Sequence, residues 1–148
     1  MPRNVFFSFH YQRDVFRINQ IRNIPEIIGS AAAGFRDASL WEEAKREGDA
    51  VVMRMIDRAL ENTSITVVFI GAATTGRKFI NYEIEQSLKR GNGLVGMQIH
   101  HLIGHDKKPD VVGTTPPQIE RAGFKTYKYV NVEKLANRIE EAALIAGK

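Results

Sequence analysis

The run SITVVFIG, Ser64–Gly71, limits what this chain can fold into more than any other segment. It is almost continuously apolar and rich in β-branched residues, which fit a pleated surface. A strand with one wet face alternates polar and apolar side chains; a strand covered on both faces does not need to. The run therefore predicts a central strand of a parallel sheet with helices on both sides.

The flanking segments supply the neighbours. NVFFSFH, Asn4–His10, reads as a second buried strand, GLVGMQIHHL as a third and KTYKYVN as a short fourth. DVFRINQIRNIPEII carries Val15, Ile18 and Ile21 or Arg22 at helical spacing, interrupted near Pro25. DAVVMRMIDRALENT puts Val52, Met55, Ile56 and Leu60 on one helical face, with Asp49 as a candidate cap. NVEKLANRIEEAALIAGK closes the chain as an amphipathic helix with Val132, Leu135, Ile139, Ala142 and Ala143 on one side. GSAAAGFRDASLWEEAKREG, residues 29–48, is small and polar and reads mainly as a long loop; GHDKKPDVVGTTPPQIERAG reads as a second one.

The order β-α-loop-α-β-α-β-loop-β-α predicts an α/β fold, a flavodoxin-like three-layer sandwich around a central parallel sheet with right-handed crossovers. Such sheets bind ligands beyond the carboxyl ends of their strands. Three stretches reach that edge: Ser8, Phe9 and His10; the loop from Gly71; and the end of LVGMQIH.

The 148 residues, 43% hydrophobic and 26% charged, suit a single domain over 1–148 with a real core. The absence of cysteine excludes disulfides and thiolate metal sites. The opening apolar run is too short for a signal peptide or a membrane span, so a cytoplasmic protein with no membrane partner is expected. The net charge is +4, but the basic residues are dispersed, and no nucleic-acid partner is expected. A mild positive field would favour an anionic substrate such as a dinucleotide.

No GxGxxG follows the first strand and no GxxxxGK[ST] occurs, so neither a Rossmann nor a P-loop site is supported. His100, His101 and His105 lie close together with only Asp106 as a carboxylate; exposed loop histidines explain them better than a metal site, and no metal is expected. TTGRKFINYEIEQSLKRGNG, Thr74–Gly93, reads as a helix after the central strand, with Ile80, Ile84, Ser87 and Leu88 toward the core and a stop at Gly91-Asn92-Gly93. Glu85 faces outward, four residues before Lys89, at the spacing of an exposed ion pair. Glu83 lies at the edge of the core stripe. Spacing alone favours a solvated charge there over a carboxylate turned into a cleft.

VFFSFHYQRD, AAAGFRDASLWEEAK and NTSITVVFIGAATTGRKFINYEIEQSLKRGNGLVGMQIH together resemble TIR-like domains, in particular those of Thoeris anti-phage systems. The resemblance runs from Arg3 to His101, and TIR domains have the flavodoxin-like fold already read from the pattern. Enzymatically active members carry a Trp followed four residues later by Glu. Here the pattern is FINYE: Phe79 stands in the Trp position and Glu83 in the Glu position.

The resemblance implies cleavage of NAD at the nicotinamide–ribose bond, with NAD as substrate and no cofactor. For the Thoeris branch it implies a cyclic ADP-ribose isomer made as a signal on infection. It also implies self-association with other TIR protomers, a phage-derived trigger, and a separate effector that reads the messenger. Glu83 is implied as the catalytic residue, ionised to stabilise an oxocarbenium-like ribose. A second carboxyl is unnecessary because nicotinamide leaves as a neutral molecule. Phe7, Ser8, Phe9, His10, Asp37, Ser39 and Phe79 are implied as substrate-binding positions. Trp41, in the same polar loop as Asp37 and Ser39, is a further candidate to contact phosphate, ribose or a neighbouring protomer, with packing at the domain edge as its alternative. The alternative is a non-catalytic TIR-like module that senses a nucleotide or binds a partner.

Overall fold

In the computed structural model, which describes residues 3–21, 27–30 and 38–148, eleven elements are defined. They are β1 (Arg3–Ser8), α1 (Tyr11–Asn19), β2 (Ile27–Ser30), α2 (Ala38–Glu47), α3 (Asp49–Leu60) and β3 (Ile65–Ile70). After these come α4 (Lys78–Lys89), β4 (Gly93–Gln98), α5 (Pro117–Arg121), β5 (Thr126–Lys128) and α6 (Val132–Ile145). The five strands form one sheet in the order β2-β1-β3-β4-β5, and every pairing is parallel. This is the flavodoxin-like strand order, with its reversal between β1 and β3.

Each residue of β3 is buried, as the continuous apolar run requires, and β3 pairs with β1 and β4 on its two sides. Phe7 packs edge-on against Phe69 with ring centroids 5.1 Å apart. Helices cover the sheet with the faces that periodicity assigned: Val52, Ile56 and Leu60 from α3, Ile80 and Ile84 from α4, and Leu135, Ile139, Ala142 and Ala143 from α6. Val132 is 37% exposed and stands outside that stripe.

Three expectations need correction. Residues 29–48 are not mainly loop: they contain the end of β2 and the ten-residue α2. The α2 segment ASLWEEAKRE is rich in strong helix formers, and these outweigh the glycine and alanine that precede it. β2 is a four-residue edge strand bonded only to β1, too short for its alternation to register against the neighbouring Pro25, Gly29 and Ser30. The second expected loop also holds a short helix, α5, opening on Pro117. Asp49 is the first residue of α3 rather than its cap, and its carboxylate pairs with Lys78.

The base of the sheet's carboxyl edge is tied together by α1. Arg17, 4% exposed, donates from Nε to Leu102 O at 2.9 Å and from Nη2 to Lys108 O at 3.2 Å. Its Nη1 lies 3.3 Å from Asp14 Oδ1. Asp14 is fully buried with Oδ2 unpartnered, and burial pushes its carboxyl up to about 6. The chain past β3 fits against this seat with little room. A Cβ on Gly71 would fall 2.2 Å from Asp14 Oδ2, and a Cβ on Gly113 would fall 2.1 Å from Gly71 O. The second clash is with backbone, which no side-chain rotation relieves. Gly113→Ala is expected to destabilise the fold by about 1–3 kcal/mol, read as a lower urea midpoint at unchanged slope.

Candidate active site

Glu83 is not a solvated edge charge. It is 5% exposed and belongs to the buried face of α4 with Ile80, Ile84 and Ser87. Polar contacts fix that face against the sheet. Ser87 Oγ donates to Glu83 O at 2.7 Å and lies 2.7 Å from Thr66 Oγ1 of β3. Asn92 Nδ2, just past the helix, donates to Thr63 Oγ1 and Thr66 Oγ1. At the other end, Thr74 Oγ1 accepts from Gly71 N at 2.8 Å, and Gly76 takes φ 87°, turning the chain from β3 into α4. Glu85 is exposed, as expected, but no ion pair joins it to Lys89.

The Glu83 side chain reaches a cavity of about 270 Å³ at the carboxyl edge of the sheet. Its walls are aromatic: Phe7 and Phe9 from β1 and its exit, Tyr11 from α1, Trp41 from α2 and Phe79 from α4. Trp41 and Phe79 meet edge-on with centroids 6.0 Å apart. His10, Gln12, Ile80, Lys45, Arg77 and Lys78 complete the lining, and the last three are exposed at its rim. Burial and the nearby Arg77, Arg13 and Lys45 charges lower the His10 pKa, disfavouring its charged form.

Ser8 Oγ donates to Glu83 Oε1 at 2.7 Å, a charge-assisted distance, and Ser8 itself is 0% exposed. Burial pushes the Glu83 carboxyl up to about 8, and the Ser8 hydroxyl opposes that rise. No basic side chain pairs with Glu83 among the described residues. Burial therefore favours the protonated form of the resting carboxyl at neutral pH. A buried carboxylate without a counter-cation is costly, and it favours a ligand that brings positive charge. Aromatic faces favour the same kind of ligand.

Of the predicted site residues, the fold gathers Phe7, Phe9, His10, Phe79 and Glu83 around this cavity. Ser8 lies behind Glu83 and is not part of the lining. Ser39 lies in α2, and Asp37 lies outside the described residues. No cluster of three metal-ligating side chains occurs among the described residues, and His101 Nε2 is engaged with Tyr129 O at 2.7 Å.

The profile described as "Thoeris protein ThsB, TIR-like domain" matches residues 6–103, a span that holds every described residue of the cavity. The chain belongs to this family. A ThsB relative from Bacillus cereus (strain MSX-D12), named "Putative cyclic ADP-D-ribose synthase ThsB1", is 39% identical over 127 residues. The match takes in 84% of this chain and 65% of that relative, so the chain spans about two thirds of its length. Within the ThsB frame, the cavity residues that pattern reading did not single out are Tyr11, Gln12, Lys45, Arg77 and Lys78, while Trp41, a candidate contact in the segment read as loop, lines the cavity from α2. Trp41 and Lys45 are four apart on α2, a spacing that shares a helix face. Reading that segment as loop hid the signal. Among the described residues, no helix is long and apolar enough to cross a membrane.

Proposed function

We propose that the chain is an NAD-consuming enzyme that cleaves the nicotinamide–ribose bond and forms a cyclic ADP-ribose isomer as a signal in Thoeris anti-phage defence. The observation that carries this reading is Glu83, a buried carboxylate without a basic partner on the wall of an aromatic cavity. The cavity is smaller than the roughly 300–1,000 Å³ that encloses a drug-sized ligand. It suits the nicotinamide end of the dinucleotide, leaving the pyrophosphate at the rim beside Lys45, Arg77 and Lys78.

The pyridinium brings positive charge to Glu83, which pairs with no basic side chain among the described residues. Its entry favours ionised Glu83, and the proton leaves to solvent. As the glycosidic bond breaks, its electron pair goes to the ring nitrogen and nicotinamide departs neutral, so no general acid is needed. Positive charge moves onto the ribose, where the Glu83 carboxylate stabilises it. The aromatic walls hold water away, which favours attack on the anomeric carbon by an adenine nitrogen or ribose hydroxyl of the same molecule; a hydroxyl nucleophile gives its proton to the Glu83 carboxylate as the new bond forms. Assembly with other protomers, a phage-derived trigger and a separate effector that reads the product belong to the same reading.

Purified protein incubated with NAD, alone and in lysate of phage-infected cells, is expected to release nicotinamide and a cyclic product resolvable by chromatography. Trp41 is the sole tryptophan, so its fluorescence reports occupancy of the cavity separately from turnover. Quenching by NAD with no nicotinamide in either condition would favour the non-catalytic sensing module. That reading draws on Phe79 at the family's Trp position.

A further inference from the structure

The residue behind Glu83 carries an inference of its own. Ser8 ends β1, in register with Val68 of β3; it is fully buried and does not line the cavity. Its hydroxyl donates to Glu83 Oε1 at 2.7 Å. A buried hydroxyl spent on a buried carboxylate serves the carboxylate's geometry and its proton equilibrium. We propose that Ser8 is a positioning residue: its hydroxyl holds the Glu83 carboxyl in place against the cavity and keeps it ionisable, without touching substrate. This rests on the reading of Glu83 as the catalytic group, and it reassigns Ser8 from substrate contact to support of that group.

The surroundings leave Ser8 to do this. From the β1 exit and α1, His10 and Tyr11 line the same cavity; from α2, Lys45; from α4, Arg77 and Lys78. Lys78 is paired with Asp49 of α3, Lys45 lies 3.7 Å from Glu42, and Arg77 Nε is bonded to Ala73 O. Asp57, the other α3 carboxylate that reaches α4, is bonded to Tyr82. None of these groups is within ion-pair distance of Glu83, and the forces on its proton are burial on one side and the Ser8 hydroxyl on the other. Loss of the hydroxyl leaves burial unopposed, so the carboxyl must hold its proton to still higher pH. A hydrogen bond to a charged group corresponds to a shift of about 1–2 pH units.

The test is an infrared titration of the resting protein, which needs neither substrate nor trigger. The protonated carboxyl band of Glu83 is assigned by its loss in Glu83→Gln. In the wild type its midpoint is expected near 8. In Ser8→Ala it is expected about 1–2 units higher. Ser8→Cys, with a weak donor, is expected between the two and serves equally if the alanine variant does not fold. Under turnover, Ser8→Ala is expected to lose about 10–100-fold at pH 7 and to recover as pH rises. A Ser8→Ala or Ser8→Cys midpoint equal to that of the wild type overturns the proposal, even if activity falls. A shifted midpoint in a protein that never consumes NAD supports the positioning role and overturns the enzymatic reading instead.

Discussion

Glu83→Gln is expected to reduce NAD-derived product by at least about 10²-fold, the scale for removing a preorganised charge from a transition state. The same substitution is expected to make the folded protein more stable at alkaline pH. Burial raises the Glu83 carboxyl from 4.5 to about 8, so the folded state holds the proton more tightly than the unfolded chain. Its contribution is complete below pH 4.5 and is lost as pH rises through about 8. The gap corresponds to about 5 kcal/mol between the acidic and alkaline limits, because the group is only 5% exposed. Glutamine cannot ionise and carries no such loss. Melting curves from pH 5 to 9 should therefore show wild type and Glu83→Gln converging at the acid end and separating at the alkaline end, with the variant higher. Parallel curves would mean that Glu83 is solvated. An inactive variant that is also more stable is hard to explain by structural damage, which makes the pair of readouts decisive.

Arg17→Met is expected to be among the most damaging single changes to the fold, costing about 3–5 kcal/mol near pH 8. The guanidinium is buried and its nitrogens bond Leu102 O, Lys108 O and Arg13 O as well as Asp14 Oδ1. Methionine fills the volume but leaves those carbonyls short of a donor and Asp14 without its cation. The loss should depend on pH. Asp14 already holds its proton up to about 6, and without Arg17 it holds it higher. Below that range the carboxyl is neutral and the missing cation matters less, so urea unfolding at pH 5 should show a smaller difference from wild type than at pH 8. Equal losses at both values would place the cost in the backbone hydrogen bonds alone. Because Arg17 also fastens the segment after β4 to α1, its removal is expected to loosen the edge that carries the cavity.

Much of the architecture was legible in the linear pattern. The continuous apolar run of β3, the apolar face of α3 and the 3.6-residue stripe of α6 each report a buried surface through residues close together in sequence. β2 and α2 were less legible. β2 is four residues long and pairs on one side only, so burial leaves little mark on its composition. The segment that contains α2 opens with glycine, serine and alanine, and those small residues obscured the helix formers that follow. That one misreading also concealed Lys45 and the helix face it shares with Trp41, both of which line the cavity.

The two halves of FINYE separate what local pattern decides from what packing decides. The sequence by itself determined that Glu83 sits on a helix following the central strand, and its resemblance to TIR-like domains singled the residue out. The burial of that carboxylate was decided only by the tertiary structure, because burial is set by what packs across from a helix edge. Here Ser8 arrives from β1, 75 residues away in sequence, to meet the carboxyl, and Trp41 from α2 meets Phe79 in the wall of the cavity that Glu83 lines. Helical spacing can place a glutamate at the margin of a core; the elements that close over that margin give it a proton affinity suited to chemistry.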